Sequence, residues 1–202
     1  MTAGRIDAST WVSALEPDAP DVVAAWRGIE DGRLISVRRE VRRRAGQGSA
    51  ARIAQQLAVL ADALTAIVGD LTDDDLRRDG GEGGWNVAQA VGHDAESRAG
   101  LCLAAARAAA GQWPVDAPTV VQGIPGAADA DRETLIRKIS QSQRIVERCA
   151  RTVAGHEIEP CPLDHPQVGR LRCGEWLLFA GVHDLMHLDQ LHGLVARKEP
   201  RR

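Results

Sequence analysis

The sequence predicts an all-α protein, a four-helix bundle with an N-terminal helical extension, and three observations carry that prediction. Four long segments repeat apolar residues at alternating spacings of three and four, the period of one helical face. No segment shows the period-two alternation of a half-buried strand. Two long loops, 111–130 and 155–173, separate the later segments, and each carries three prolines. The first loop has the reach to run the length of a bundle, at about 3.3 Å per residue. A crossover there would set the second and third bundle helices parallel.

The chain divides into an extension over 1–48, a bundle over 49–197 and a tail over 198–202. In the extension, Asp18-Ala19-Pro20 opens a short helix carrying Val22, Val23, Trp26 and Ile29. A second segment over 34–44 ends in the basic run Arg38-Arg39-Glu40-Val41-Arg42-Arg43-Arg44. That run reads either as a solvated helix face or as a contact for phosphate or an acidic partner. Ala45-Gly46-Gln47-Gly48 reads as a linker.

Ser49 is placed to cap the first bundle helix, whose stripe is Ile53, Leu57, Leu60, Leu64, Ile67 and Leu71. An acidic turn follows, Thr72-Asp73-Asp74-Asp75, which suits either the start of a helical turn or a hard cation. Gly80 to Gly84 then breaks the chain, and Asn86 is a cap for the second helix, which runs to about Ala110. On that helix Ala90, His93, Ser97, Gly100 and Ala104 share a face of small residues that a neighbour can approach closely. The third helix spans about Asp131 to Val153, with Leu135, Ile139, Ser142, Val146, Cys149 and Val153 inward. The fourth begins near Gly174 and places Trp176, Ala180, His183, His187, Leu191 and Leu194 on one side.

Composition excludes several function classes. A net charge of −3 with 26% charged residues gives no nucleic-acid footprint. No apolar run reads as long enough to span a bilayer, and the N-terminus lacks a signal-peptide core. The four cysteines form no Cys-x-x-Cys pair, so a cytoplasmic protein with reduced thiols is expected. Arginine supplies 23 of the 25 basic residues, the bias of a GC-rich bacterial genome.

The chemistry concentrates in three histidines. An imidazole on a core-facing stripe needs a partner, because an unsatisfied buried polar group costs roughly 2–7 kcal/mol. His183 and His187 lie one turn apart and can aim nitrogens at one point, the geometry of a helical metal site. His93 on the small-residue face is the third candidate ligand; alone it reads more often as a hydrogen-bonded core histidine, and beside His183 and His187 it reads as a ligand. Three neutral imidazoles leave an open position on a divalent ion, the pattern of a catalytic site. Around them, Asp184 reads as a support for an imidazole or as a surface ion pair. Gln190 reads as a substrate contact or as packing, and His165 as a loop acid or base or as a solvated histidine. His192 falls off the ligand stripe, and Cys102 and Cys173 read as structural.

The segment Trp85-Asn86-Val87 with His93 eight residues after the tryptophan, and Glu175-Trp176-Leu177 with His183-Asp184-Leu185-Met186-His187-Leu188-Asp189-Gln190 later, resembles the DinB-like family of metal-binding four-helix bundles. The resemblance covers roughly residues 50 to 196. It implies an up-down-down-up bundle, a zinc, nickel or similar divalent ion on His93, His183 and His187, and often a homodimer. The family includes damage-inducible proteins, metal-dependent hydrolases, and enzymes of small thiols such as bacillithiol and mycothiol S-transferases. It also includes mycothiol-dependent maleylpyruvate isomerases, which carry a glutamate among their ligands, whereas the first helix-four ligand here is His183. The resemblance thus implies an enzyme joining a low-molecular-weight thiol, mycothiol on the compositional argument, to an electrophilic small molecule. A metal-dependent hydrolase and a non-catalytic metal-binding stress protein are the alternatives. Neither nucleic acid nor membrane is an expected partner.

Overall fold

The structure, a computed structural model, describes residues 9–29, 35–81 and 83–196. The tail at 198–202 and Leu34, where the basic segment is expected to begin, lie outside them. Among the described residues eight helices form in chain order: α1 (Ser9–Leu15), α2 (Pro20–Trp26), α3 (Ile35–Arg44), α4 (Ala50–Gly69), α5 (Asp73–Arg77), α6 (Val87–Ala109), α7 (Arg132–Val153) and α8 (Cys173–Ala196). Extended pairing among the described residues is limited to isolated bridges.

Polar contacts between helices give their directions. Near its start, α4 meets the end of α7 through Ala50 N and Glu157 Oε1 at 3.3 Å, and Arg132 at the start of α7 reaches the carbonyls of Gly69 and Leu71 at 3.4 Å. These two helices are antiparallel. Glu96 and Arg98 on α6 meet Lys138 and Ser142 on α7 in the same order, so α6 and α7 are parallel. Asp94 faces His183 while Gly80, upstream of α6, is held by Gln190, so α6 and α8 are antiparallel. The four long helices therefore run up, down, down and up, with the crossover in the loop 111–130.

Local sequence accounts for most helix ends. Asn86 and Gln89 form a reciprocal capping box at the start of α6, with Gln89 N to Asn86 Oδ1 at 2.8 Å. Thr72 and Asp75 do the same for α5, which resolves the acidic turn as a helix start. Asp131 caps α7 through Thr134 N at 2.7 Å. Ser49 is different: its side chain makes no cap, and the Glu157 carboxylate takes the Ala50 N–H instead. By length and composition α4 can cross a membrane, contrary to the expectation from sequence. Its stripe of Ile53, Leu57, Leu60 and Leu64 is instead buried in the bundle core, where a helix of the same composition is equally at home.

The extension joins that core. The α2 helix lacks a side-chain cap of its own, and the buried Gln56 of α4 supplies one, its Oε1 accepting from Asp21 N at 2.9 Å and Val22 N at 3.2 Å. Val22 packs where a Cβ on Gly181 of α8 would stand 2.8 Å from it, so the glycine admits α2 against α8. The basic run of α3 is largely spent inside the molecule. Arg42 pairs with the buried Glu175 at 3.0 Å, and Arg44 pairs with Asp21 at 3.2 Å and Glu40 at 3.4 Å. The short α1, unmarked in the sequence, stacks Trp11 on His192 of α8 with ring centroids 4.7 Å apart.

The two long loops are tied together and to the bundle. Val120 bridges Asp164, with Val121 N to Asp164 O at 2.9 Å and Asp164 N to Thr119 O at 2.6 Å. Loop 111–130 also lies directly on α6: Gly126 N donates to Gln89 O at 3.0 Å, and a Cβ on Gly126 would stand 2.7 Å from the Cα of Gly92. Only paired glycines allow backbone to lie on backbone here. Gly126→Ala is therefore expected to lower stability by about 1–3 kcal/mol, seen as an earlier urea midpoint with an unchanged slope.

Candidate metal centre

The antiparallel pairing of α6 and α8 brings His93 opposite His183 and His187. One ring nitrogen from each lies within 4.8 Å of the others. Ring centroids are 5.2 Å apart for His93 and His183, 5.4 Å for His93 and His187, and 4.6 Å for His183 and His187. The helix-four pair comes from the i, i+4 spacing, and the third ring from the capped start of α6. His93 and His187 are buried, and His183 keeps 16% of its side-chain exposure. Trp85, just before α6, lies with its ring 5.0 Å from that of His93.

Each imidazole is held through Nδ1 by an oxygen acceptor. His93 Nδ1 lies 2.7 Å from Ile124 O, in the loop that rests on α6. His183 Nδ1 lies 3.2 Å from Asp94 Oδ1, and His187 Nδ1 lies 3.0 Å from Gln190 Oε1. A carbonyl, a carboxylate and an amide oxygen accept only, so Nδ1 carries the proton in all three rings. The lone pair then lies on Nε2 in each ring, and at His93 it faces Ser97 Oγ at 3.4 Å. This is the outer-shell arrangement that orients histidines around a metal, and the cluster can hold a divalent ion.

Beneath the cluster sits a second group. Asp94, His183 and Asp184 also bring ligand-type atoms within 4.8 Å of one another. That set does not suit a second ion. His183 Nδ1 is already engaged by Asp94, and Arg98 puts its Nε 3.1 Å from Asp184 Oδ2 with both side chains wholly buried. The second oxygen of Asp94 and both of Asp184 lack hydrogen-bond partners, so the guanidinium charge is what compensates them.

The fold shows where the remaining candidates lie. Asp184 neither supports an imidazole nor pairs at the surface; its place on α8 turns it into the core, against Arg98. Gln190 is committed inside the protein, accepting from His187 and donating to Gly80 O. His165 lies near the cluster, its ring edge-on to Phe179 with centroids 5.1 Å apart. Its Nδ1 accepts from Gln167 N at 3.2 Å and Val168 N at 3.4 Å, so its proton sits on Nε2 and its free nitrogen position is a donor rather than a base. Asp94 and Arg98 are absent from the sequence reading. The one signal for Asp94 is that His-Asp occurs twice, as His93-Asp94 and His183-Asp184, on helices that run antiparallel.

Burial sets the protonation of these groups. It pushes His183 below its ordinary 6.5 despite the Asp94 hydrogen bond, with His187 and His93 adding to the effect. Burial also lowers His165, helped by His183. Asp94 is held below the ordinary carboxylate range against the cost of burial by its His183 hydrogen bond and nearby positive charge. Asp184 is raised by burial and by Asp94. A histidine depressed in the fold stays neutral while its unfolded counterpart takes up a proton near 6.5, so its contribution is present above that pH and lost below it. Three histidines, 165, 183 and 192, act in this sense, against Asp184 alone in the other. Metal-free Asp184→Asn protein, which lacks the opposing group, is expected to lose stability between about pH 7 and about pH 5, read as a falling urea midpoint. His93→Ala is expected to abolish stoichiometric zinc while helical circular dichroism is retained, because the apolar stripes hold the bundle.

Neither the curated proteins nor the solved structures give a significant match to this chain. A family model described as the DinB superfamily matches residues 56–191, a span that starts within α4 and ends in α8 and contains all three histidines. The chain belongs to the DinB superfamily.

Proposed function

We propose that this chain is a cytoplasmic, metal-dependent thiol S-transferase. It holds zinc or nickel on His93, His183 and His187 and joins a low-molecular-weight thiol, mycothiol first, to an electrophilic small molecule. The single observation that carries the metal reading is that Nδ1 of each ring meets an oxygen acceptor while one ring nitrogen of each lies within 4.8 Å of the others. When bound there, a divalent ion supplies acidity to a thiol or water in its open position.

The protein's own side chains favour an external sulfur. All four cysteines are buried and free, and burial raises their pKa, Cys173 to about 12. None of them is poised as a nucleophile. The chain's part is then to fix the imidazoles, exclude water and place the two substrates. Asp94, Gln190 and the Ile124 carbonyl do the first. His165, with Nε2–H available on the side of the most exposed imidazole, is suited to donate to charge developing on the electrophile. An open cavity of about 390 Å³, lined by Arg77, Asp79, Gly81, Gly83, Gly84, Trp85 and Asn86, shares Trp85 with the cluster and offers room for a polar substrate body. Mycothiol is favoured by the GC-rich bias of the sequence, and a homodimer by family membership. No nucleic-acid or membrane partner is part of this reading.

Zinc-loaded protein is expected to consume mycothiol in the presence of at least one electrophile from a panel of aryl halides, epoxides and enones. His187→Ala should lower that rate by more than the roughly 10–100-fold that loss of an outer partner costs. Hydrolysis without any thiol, lost in the same variant, would replace the transferase by a hydrolase. No turnover with mycothiol, bacillithiol or glutathione would remove the thiol reading altogether.

A further inference from the structure

Arg98 takes no part in the chemistry proposed above, yet it is among the largest wholly buried side chains of the protein. It stands on α6 one turn beyond Asp94. Its NH2 group donates to Leu57 O of α4 at 2.8 Å and to Gln143 Oε1 of α7 at 3.1 Å. Its NH1 group reaches Ser142 Oγ of α7 at 3.4 Å, and Nε faces Asp184 Oδ2 of α8 at 3.1 Å. One guanidinium on α6 is therefore held by the other three bundle helices.

From there charged and polar groups lead toward the cluster. Asp184 and Asp94 approach within 4.8 Å, and Asp94 Oδ1 lies 3.2 Å from His183 Nδ1. The order is guanidinium, carboxyl, carboxyl, imidazole. Such a group is a poor device for stability, since neutral side chains of similar volume commonly serve as well or better in a core. It is a good device for geometry, because a planar fork with five donors fixes the plane and position of what it holds. Ser142 and Gln143 fit the same purpose: they satisfy the edge of the guanidinium that faces away from the carboxyls.

We infer that Arg98 is a positioning residue for the metal centre. Held by the three other bundle helices, it fixes the Asp184–Asp94 pair and, through that pair, the direction of the His183 imidazole. The inference rests on the metal reading above, and it separates two properties that a merely structural arginine would move together.

The test is the neutral double variant Arg98→Met with Asp184→Leu, compared with wild type in three measurements. They are urea unfolding of metal-free protein, zinc affinity by competition with a chromophoric chelator, and the hydrogen-bonded His183 Nδ1–H signal in proton NMR. The expected result is unchanged or greater stability, zinc binding weaker by about 10–100-fold, and loss or displacement of the Nδ1–H signal. A folded double variant with wild-type zinc affinity and an unmoved signal would overturn the inference. If wild type itself fails to bind zinc, the metal reading falls, and the NMR signal of the metal-free proteins still decides the role of Arg98. If the double variant does not fold, Arg98→Lys, which keeps the charge but not the fork, is read by the same assays with the same losses expected.

Discussion

The structure depends on one constraint: an imidazole placed in a dry helical core must dispose of its N–H. Three are placed there, and each must find an acceptor that leaves the opposite nitrogen free. The acceptors come from three different places. Asp94 is on the facing helix, Gln190 is on the same helix, and Ile124 is on a loop. Each choice commits a further part of the fold. Gln190 must also reach Gly80, which ties α8 to the turn before α6. The Ile124 carbonyl is in range because Gly126 lies on Gly92 with no side chain between them. Asp94, wholly buried, needs compensating charge, and Arg98 is the cation in the same core.

The helical part of this was legible in the sequence because it is periodic. The stripes of α4 and α7 and the Asn86 cap state their own positions, whereas the expected small-residue face of α6 ends in open surface at Gly100 and α8 is buried on every side from Cys173 to Val182. The candidate ligands were legible for the same reason, since His183 and His187 at i, i+4 and His93 on a small-residue face are statements about helical period. What supports them was not. Asp94 and Asp184 each follow a histidine, and on a helix an adjacent residue points about 100° away. Nothing in one helix tells which neighbour fills that direction. Arg98 was hidden by composition, because one arginine among 23 carries no mark of being buried.

The extension shows the same boundary between local and non-local information. Pro20 starts α2 legibly, but that its first N–H groups are taken by Gln56 is a fact of packing. Likewise the basic run of α3 looks like a surface for a partner until Glu175 and Asp21 are brought beside it. Internal pairing of this kind is cheap in sequence terms. It needs only one acidic residue on each neighbouring element, and single carboxylates are too common to read as partners in advance.

Rigidity and variability are distributed unequally around the histidines. Below them, the Arg98 group crosses all four helices, so a shift of any one helix disturbs hydrogen bonds in the others. Above them are two proline-containing loops that pair through a single bridge, and one of them brings His165 to the side of His183. The lower part must be conserved in shape for three nitrogens to meet. The upper part must keep the Ile124 carbonyl, Gly126 and Glu157 in place and its buried apolar residues packed, while its exposed side chains are free to change. A bundle built this way can keep one metal geometry while altering which molecule reaches it. Substrate identity is therefore expected to reside in 111–130 and 155–172, the segments whose sequence is least informative about structure, and the common chemistry in the helices that are most informative.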